Sequence, residues 1–131
     1  MQFSFTLPVL LAIALGGACG ALARYALVLW SMQRFGDAFP WGTLLVNAAG
    51  ALLAGLVIAL LQERVLEGSL WRPLLLVGLL GSLTTFSMFA VELYQFLERG
   101  NIALALGYPL LSVLVCVLLV WSGLALGRLL A

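Results

Sequence analysis

Gly78-Leu79-Leu80-Gly81-Ser82-Leu83-Thr84-Thr85-Phe86-Ser87-Met88-Phe89 lies inside a mostly apolar run from Pro73 to Leu97. That run is long enough to cross a bilayer, for which about 20 apolar residues suffice. Its centre works against a continuous helix. Each Gly costs ~1 kcal/mol relative to Ala, and Ser and Thr side chains compete with the helix for main-chain hydrogen bonds. Two readings stand. As a Gly/Ser/Thr face, the stretch packs closely against another membrane helix. As an interruption at mid-membrane, it must be buried by protein or line a polar cavity, because lipid satisfies no main-chain polar group. Discontinuous helices of this kind hold ion and substrate sites in transporters.

The surrounding chain sets the class. Its 131 residues are 65% hydrophobic and 8% charged, with a mean hydropathy of +1.22, a balance that the surface of a soluble domain this small does not tolerate. The sequence is read as an all-α integral membrane protein, a single domain over residues 1–131. Net charge is +1 and no basic run exists, which argues against a nucleic-acid partner. The six cations are all Arg, and the chain has neither Lys nor His. A phosphate loop of the Walker type and His-based metal or triad sites are therefore excluded, and nothing forms a nucleophile–base pair, so no enzyme is expected. Cys19 and Cys116 lie within apolar spans and are read as small buried hydrophobes rather than as a disulfide. Met1 to Leu7 carries no positive charge, and the apolar stretch continues to Trp30, so the first segment is read as a span rather than a signal peptide.

Four spans follow from hydropathy: about Leu7 to Met32, Trp41 to Leu61, Pro73 to Leu97, and Ile102 to Leu130. The first contains Gly16, Gly17, Gly20 and Ala21, two small-xxx-small pairs suited to close helix packing, and then Arg24. A charge at that depth must snorkel or pair. The second holds Asn47, on one face with Ala51 and Gly55, either as interhelical glue or as an amide donor aimed into a path. In the third, Thr85, Phe89 and Glu92 share a face; Glu92 is expected near the outer end, and an acid within a span is a functional candidate. Tyr108, Ser112 and Cys116 form a stripe on the fourth, which becomes a hydroxyl track if it faces the Gly/Ser/Thr stretch.

Charge leaves the orientation open. Arg64, Arg72 and Arg128 fall on one side of a four-span chain. Arg34 and Arg99 fall on the other, joined by Arg24 if it snorkels that way. Without a bias, two opposed copies can pair, creating from one chain the inverted repeat that larger transporters build internally. Four helices are also few for enclosing a watered path, which independently favours a dimer.

With these residues laid out, the chain resembles the Fluc (CrcB) fluoride channel family over essentially its whole length. The resemblance is carried by Gly16 to Tyr25, Gly42 to Gly50 and Gly78 to Phe89, in that order and spacing. It implies four transmembrane helices with the third broken at mid-membrane, assembled as an antiparallel dual-topology homodimer. The implied activity is passive fluoride export through two pores in the bacterial inner membrane. It also implies a structural Na+ at the dimer centre, on the main-chain carbonyls of Gly81 and Thr84. The family's pore phenylalanines map to Phe86 and Phe89, its pore asparagine to Asn47, its polar track to Tyr108 and Ser112, and an acid near the pore to Glu92. Thr85 and Ser87 supply further hydroxyls, and Gly16, Gly17, Gly20 and Arg24 fall to packing. Two positions depart from the family: Met88 stands for a Thr, and Cys116 replaces a frequent hydroxyl residue. The competing expectation is a proton-coupled exporter of small hydrophobic cations, a class that can also be built as a four-helix dual-topology dimer, for which Glu92 is the sole candidate acid.

Overall fold

The computed structural model describes residues 5–131; the uncharged N-terminus read against a signal peptide falls partly on Met1–Ser4, outside that range. The described residues form helices and turns and no strand. The helix α1 spans Leu7–Phe35 and α2 spans Trp41–Gln62. A π-helix, Pro73–Leu80, runs into a single turn, Gly81–Leu83; α3 spans Phe86–Glu98 and α4 spans Ile102–Leu130. Among the described residues four segments are long and apolar enough to cross a membrane: Leu7–Phe35, Trp41–Gln62, Pro73–Glu98 and Ile102–Leu130. The protein is a multi-pass, all-helical membrane protein.

The boundaries follow local chemistry. Pro8 sits in the first turn of α1, where a missing N–H costs nothing. That helix runs past the expected Met32 because Gln33 and Arg34 keep it going until Gly36, whose φ of 77° ends it. The N-cap Asn101 of α4 accepts from the Leu104 N–H with its side-chain oxygen.

Two close crossings organise the bundle. The most extensive contacts run between α2 and α4 and between α1 and the π-helix. In the first, a Cβ placed on Gly55 would strike the Val120 carbonyl, and one on Gly123 would strike the Leu52 carbonyl. In the second, Cβ atoms on Gly16 and Gly20 would strike the Leu74 and Leu79 carbonyls, and one on Gly78 would lie 2.6 Å from the Ile13 oxygen. Main chain therefore meets main chain at both crossings, which only glycine allows. Gly17 is looser, its added Cβ reaching only Ser82 Oγ at 3.3 Å. Gly55 belongs to the α4 crossing, not to a stripe ending at Asn47.

The reading of the cysteines as buried needs correction here. Cys19 is exposed on the outer face of α1, and Cys116 is half-buried; both are free thiols. Of the two courses open to Arg24, snorkelling or pairing, it takes the second. Its Nη1 donates to the Thr84 carbonyl at 3.4 Å, across from α1 to the third span.

Candidate functional site

The helical ladder stops at Leu83 and resumes at Phe86. Between them Thr84 (φ −82°, ψ 157°) and Thr85 (φ −150°, ψ 118°) are extended. Thr84 still donates its N–H to the Leu80 carbonyl, and its hydroxyl donates to that same oxygen at 2.9 Å. Thr85 leaves the ladder, so its own N–H and C=O need partners from elsewhere; a buried main-chain group left bare costs ~1–3 kcal/mol.

Asn47 on α2 supplies both. The Thr85 N–H donates to Asn47 Oδ1 at 2.8 Å, and Asn47 Nδ2 donates to the Thr85 carbonyl at 3.1 Å. The side-chain amide acts as a second peptide group, pairing with an extended residue as a neighbouring strand does. A side-chain amide carries an acceptor and a donor in one plane, as a peptide group does. The second Nδ2 hydrogen has no partner among the described residues. The Thr85 hydroxyl then caps α3, accepting from the Met88 N–H at 3.2 Å, with Ser87 Oγ at 3.3 Å.

Around this pairing lies a cavity of about 280 Å³ lined by Asn47, Thr84, Thr85, Phe86, Phe89, Ser112, Val113 and Cys116. Ser112 Oγ, buried in its wall, makes no hydrogen bond among the described residues. A buried hydroxyl without a partner is unusual and leaves a donor available to a guest. Phe86 and Phe89 pack at 5.6 Å between centroids, and Phe86 remains 79% exposed.

A second cluster lies on the other side of Phe89. Glu92 sits in the middle of α3, not at its outer end, with its carboxyl group turned inward. Thr43 Oγ1 donates to one carboxyl oxygen at 2.5 Å and Tyr108 Oη to the other at 2.8 Å. Two hydroxyl donors from two other spans make this inward position tolerable for an acid. Thr43, Glu92 and the first hairpin line a larger cavity of about 410 Å³ that also meets Arg99 and Asp37. Tyr108 is 1% exposed and boxed in by the rings of Phe39 (5.4 Å), Phe89 (5.0 Å) and Phe96 (6.0 Å).

The expected stripe on α4 is thus divided. Tyr108 serves the Glu92 cluster, whereas Ser112 and Cys116 face the Asn47 cavity. The Phe89 ring joins the two. Sequence reasoning missed Thr43, although it precedes Asn47 by four residues and so shares its helix face, a detectable signal. Thr43→Val removes one donor from Glu92 at nearly constant volume. Unfolding in detergent should show a loss of ~1–3 kcal/mol, restored in Thr43→Ser.

A helical membrane protein with polar groups from three spans gathered around an interrupted segment has the build of a membrane channel or transporter. The comparisons define it further. The family described as "CrcB-like protein, Camphor Resistance (CrcB)" matches residues 11–124, and the chain belongs to that family. It is 47% identical over 117 residues to the fluoride-specific ion channel FluC of Magnetococcus marinus, spanning 89% of this chain and 95% of the relative. The FluC of Paracoccus denitrificans is 48% identical over 118 residues (90% and 93%), and that of Hahella chejuensis 41% over 124 residues (95% and 98%).

Proposed function

We propose that this chain is a fluoride-selective channel that lets cytoplasmic fluoride leave the cell passively and so limits its toxicity. The observation that carries the reading is the cavity beside the Asn47–Thr85 pairing, with its unpartnered Ser112 hydroxyl, in a chain whose relatives are named fluoride-specific ion channels. Fluoride is small and strongly hydrated, so a selective path must replace water with well-placed donors without holding the ion too tightly. Asn47 offers its spare N–H, and Ser112, Thr85 and Ser87 offer hydroxyls. Phe86 and Phe89 present ring edges, which carry positive partial charge. Glu92, with Thr43 and Tyr108, stands at the end of this path nearer the first hairpin.

The same proposal includes the assembly. Two copies inserted in opposite orientations pair as an antiparallel homodimer in the bacterial inner membrane, each with its third span broken at mid-membrane, giving two pores. The exposure of Phe86 beside polar groups supports this, since a partner copy would cover a ring that one copy leaves open.

Within that dimer a structural Na+ fits the chemistry of the interruption. Diverting the Thr85 N–H to Asn47 removes the donor that a continuous helix would give the Gly81 carbonyl. Gly81 and Thr84 would offer hard carbonyl oxygens from each copy. When bound, the ion would supply fixed positive charge near the path. The Thr84 carbonyl also accepts from Arg24, which holds this turn in place before any ion arrives.

Purified protein in liposomes, read with a fluoride electrode and with chloride as control, tests the proposal. Fast fluoride efflux without chloride efflux is expected; folded protein that moves no fluoride overturns it. Phe86→Leu keeps the bulk but loses the ring edge. An aromatic-edge contact of ~0.5–1.5 kcal/mol corresponds to a fluoride rate lower by up to about tenfold. The cation-exporter alternative finds no support: both Glu92 carboxyl oxygens are engaged by hydroxyl donors, and the relatives are named channels.

A further inference from the structure

We propose that Cys116 is a binding site for soft monovalent cations, with Ag+ as the representative ion, and that an ion bound there closes the path. The inference rests on the fluoride reading for its second half only. Cys116 follows Ser112 by one turn of α4, and both line the 280 Å³ cavity with Asn47 and Phe89. The Ser112 hydroxyl, one turn away on the same wall, is buried and without a hydrogen-bond partner among the described residues, so a polar group of that wall is left unsatisfied beside the thiol-bearing turn. Cys116 forms no disulfide, and it also borders an apolar groove with Val117, Val120, Trp121 and Leu124.

The chemistry selects the ligand. A sulfur donor prefers soft, polarisable cations, and the hard carbonyl oxygens at Gly81 and Thr84 prefer the opposite kind. No group of three or more acidic, Cys or His side chains gathers as a metal site among the described residues, which disfavours ions that need a full protein shell. Ag+ needs few ligands. At Cys116 the S–H bond breaks, an S–Ag bond forms, and the proton passes to water; no electron is exchanged. The Ser112 oxygen lies on the same face as a weak second ligand. An ion held there places positive charge and bulk among the donors that fluoride would pass, so it would trap the anion or obstruct it.

Fluoride efflux is measured from liposomes in nitrate buffer, which keeps Ag+ in solution, for the unmodified chain, Cys116→Ser and Cys19→Ser. Each is compared with its own rate before silver. The unmodified chain and Cys19→Ser should slow by roughly tenfold or more, and Cys116→Ser should not respond. A second arm needs no transport: Ag+ should protect Cys116 of the unmodified chain from a small alkylating reagent, read by the mass of the peptide that contains it. Equal silver inhibition of Cys116→Ser, or no protection of Cys116, overturns the site. Protection without inhibition removes the closure and leaves the binding. Should the unmodified chain move no fluoride, the fluoride reading fails, while the alkylation arm still decides the site.

Discussion

Asn47→Leu abolishes fluoride efflux and destabilises the fold by ~2–6 kcal/mol, the sum of two bare main-chain groups at ~1–3 kcal/mol each. Leu matches Asn in branching and number of heavy atoms but can neither accept from the Thr85 N–H nor donate to its carbonyl. The extended backbone at Thr85 then has two choices. It stays broken with both groups unpaired, or it returns to the helix and carries Phe86 and Phe89 out of their present positions. Asn47→Asp separates the partners, because a carboxylate still accepts from the N–H but faces the Thr85 carbonyl without a hydrogen to offer. It should fall between Asn and Leu in stability while losing efflux. Denaturant unfolding in detergent beside the liposome assay provides both readings. An Asn47→Leu protein as stable as the unmodified chain would show that the amide pairing does not hold the interruption.

Gly20→Val is expected to be the most damaging change at the packing interfaces. A Cβ at Gly20 already meets the Leu79 carbonyl and lies 3.1 Å from the Leu83 nitrogen, and the two further methyl groups of Val deepen the clash. Overpacking costs ~1–3 kcal/mol where side chains can shift. Here the obstacle is backbone, so the upper end of that range or failure to assemble is expected. The displaced segment leads directly into Gly81–Leu83 and the extended pair beyond it. Gly107 offers the control: nothing lies within 4 Å of an added Cβ there, so Gly107→Ala should retain full yield and a sharp size-exclusion profile. Equal behaviour of the two variants would remove the crossing from the account.

Much of this arrangement was legible in the sequence because lipid imposes a simple rule on composition. Span ends at Trp41, Pro73, Ile102 and Leu130 follow from where polarity and Pro resume. The π-helical winding of Pro73–Leu80 was not legible, since it leaves no side-chain periodicity of its own and coincides with contacts to Gly16 and Gly20 in another span. Glu92 was placed too far outward for a related reason. Hydropathy prices an acid by depth alone, whereas its position here depends on hydroxyls 49 residues before it and 16 after it. Which of its two courses Arg24 takes, snorkelling or pairing, was not legible either, its partner being 60 residues away. Asn47 could be singled out as the one strongly polar residue of its span. Its engagement with main chain, instead of with another side chain, required the extended geometry at Thr85.

The two glycine crossings are interleaved along the chain: the first span pairs with the third, and the second with the fourth. During synthesis, therefore, the first hairpin enters the membrane with neither of its tightest partners yet made. The earliest crossing cannot close until Gly78 has left the ribosome, and the other waits for Gly123, near the end of the chain. Dividing the polypeptide in the loop after Gln62 would leave each fragment with half of both crossings. The protein matures late and as a whole, with no self-sufficient half to fold ahead of the rest.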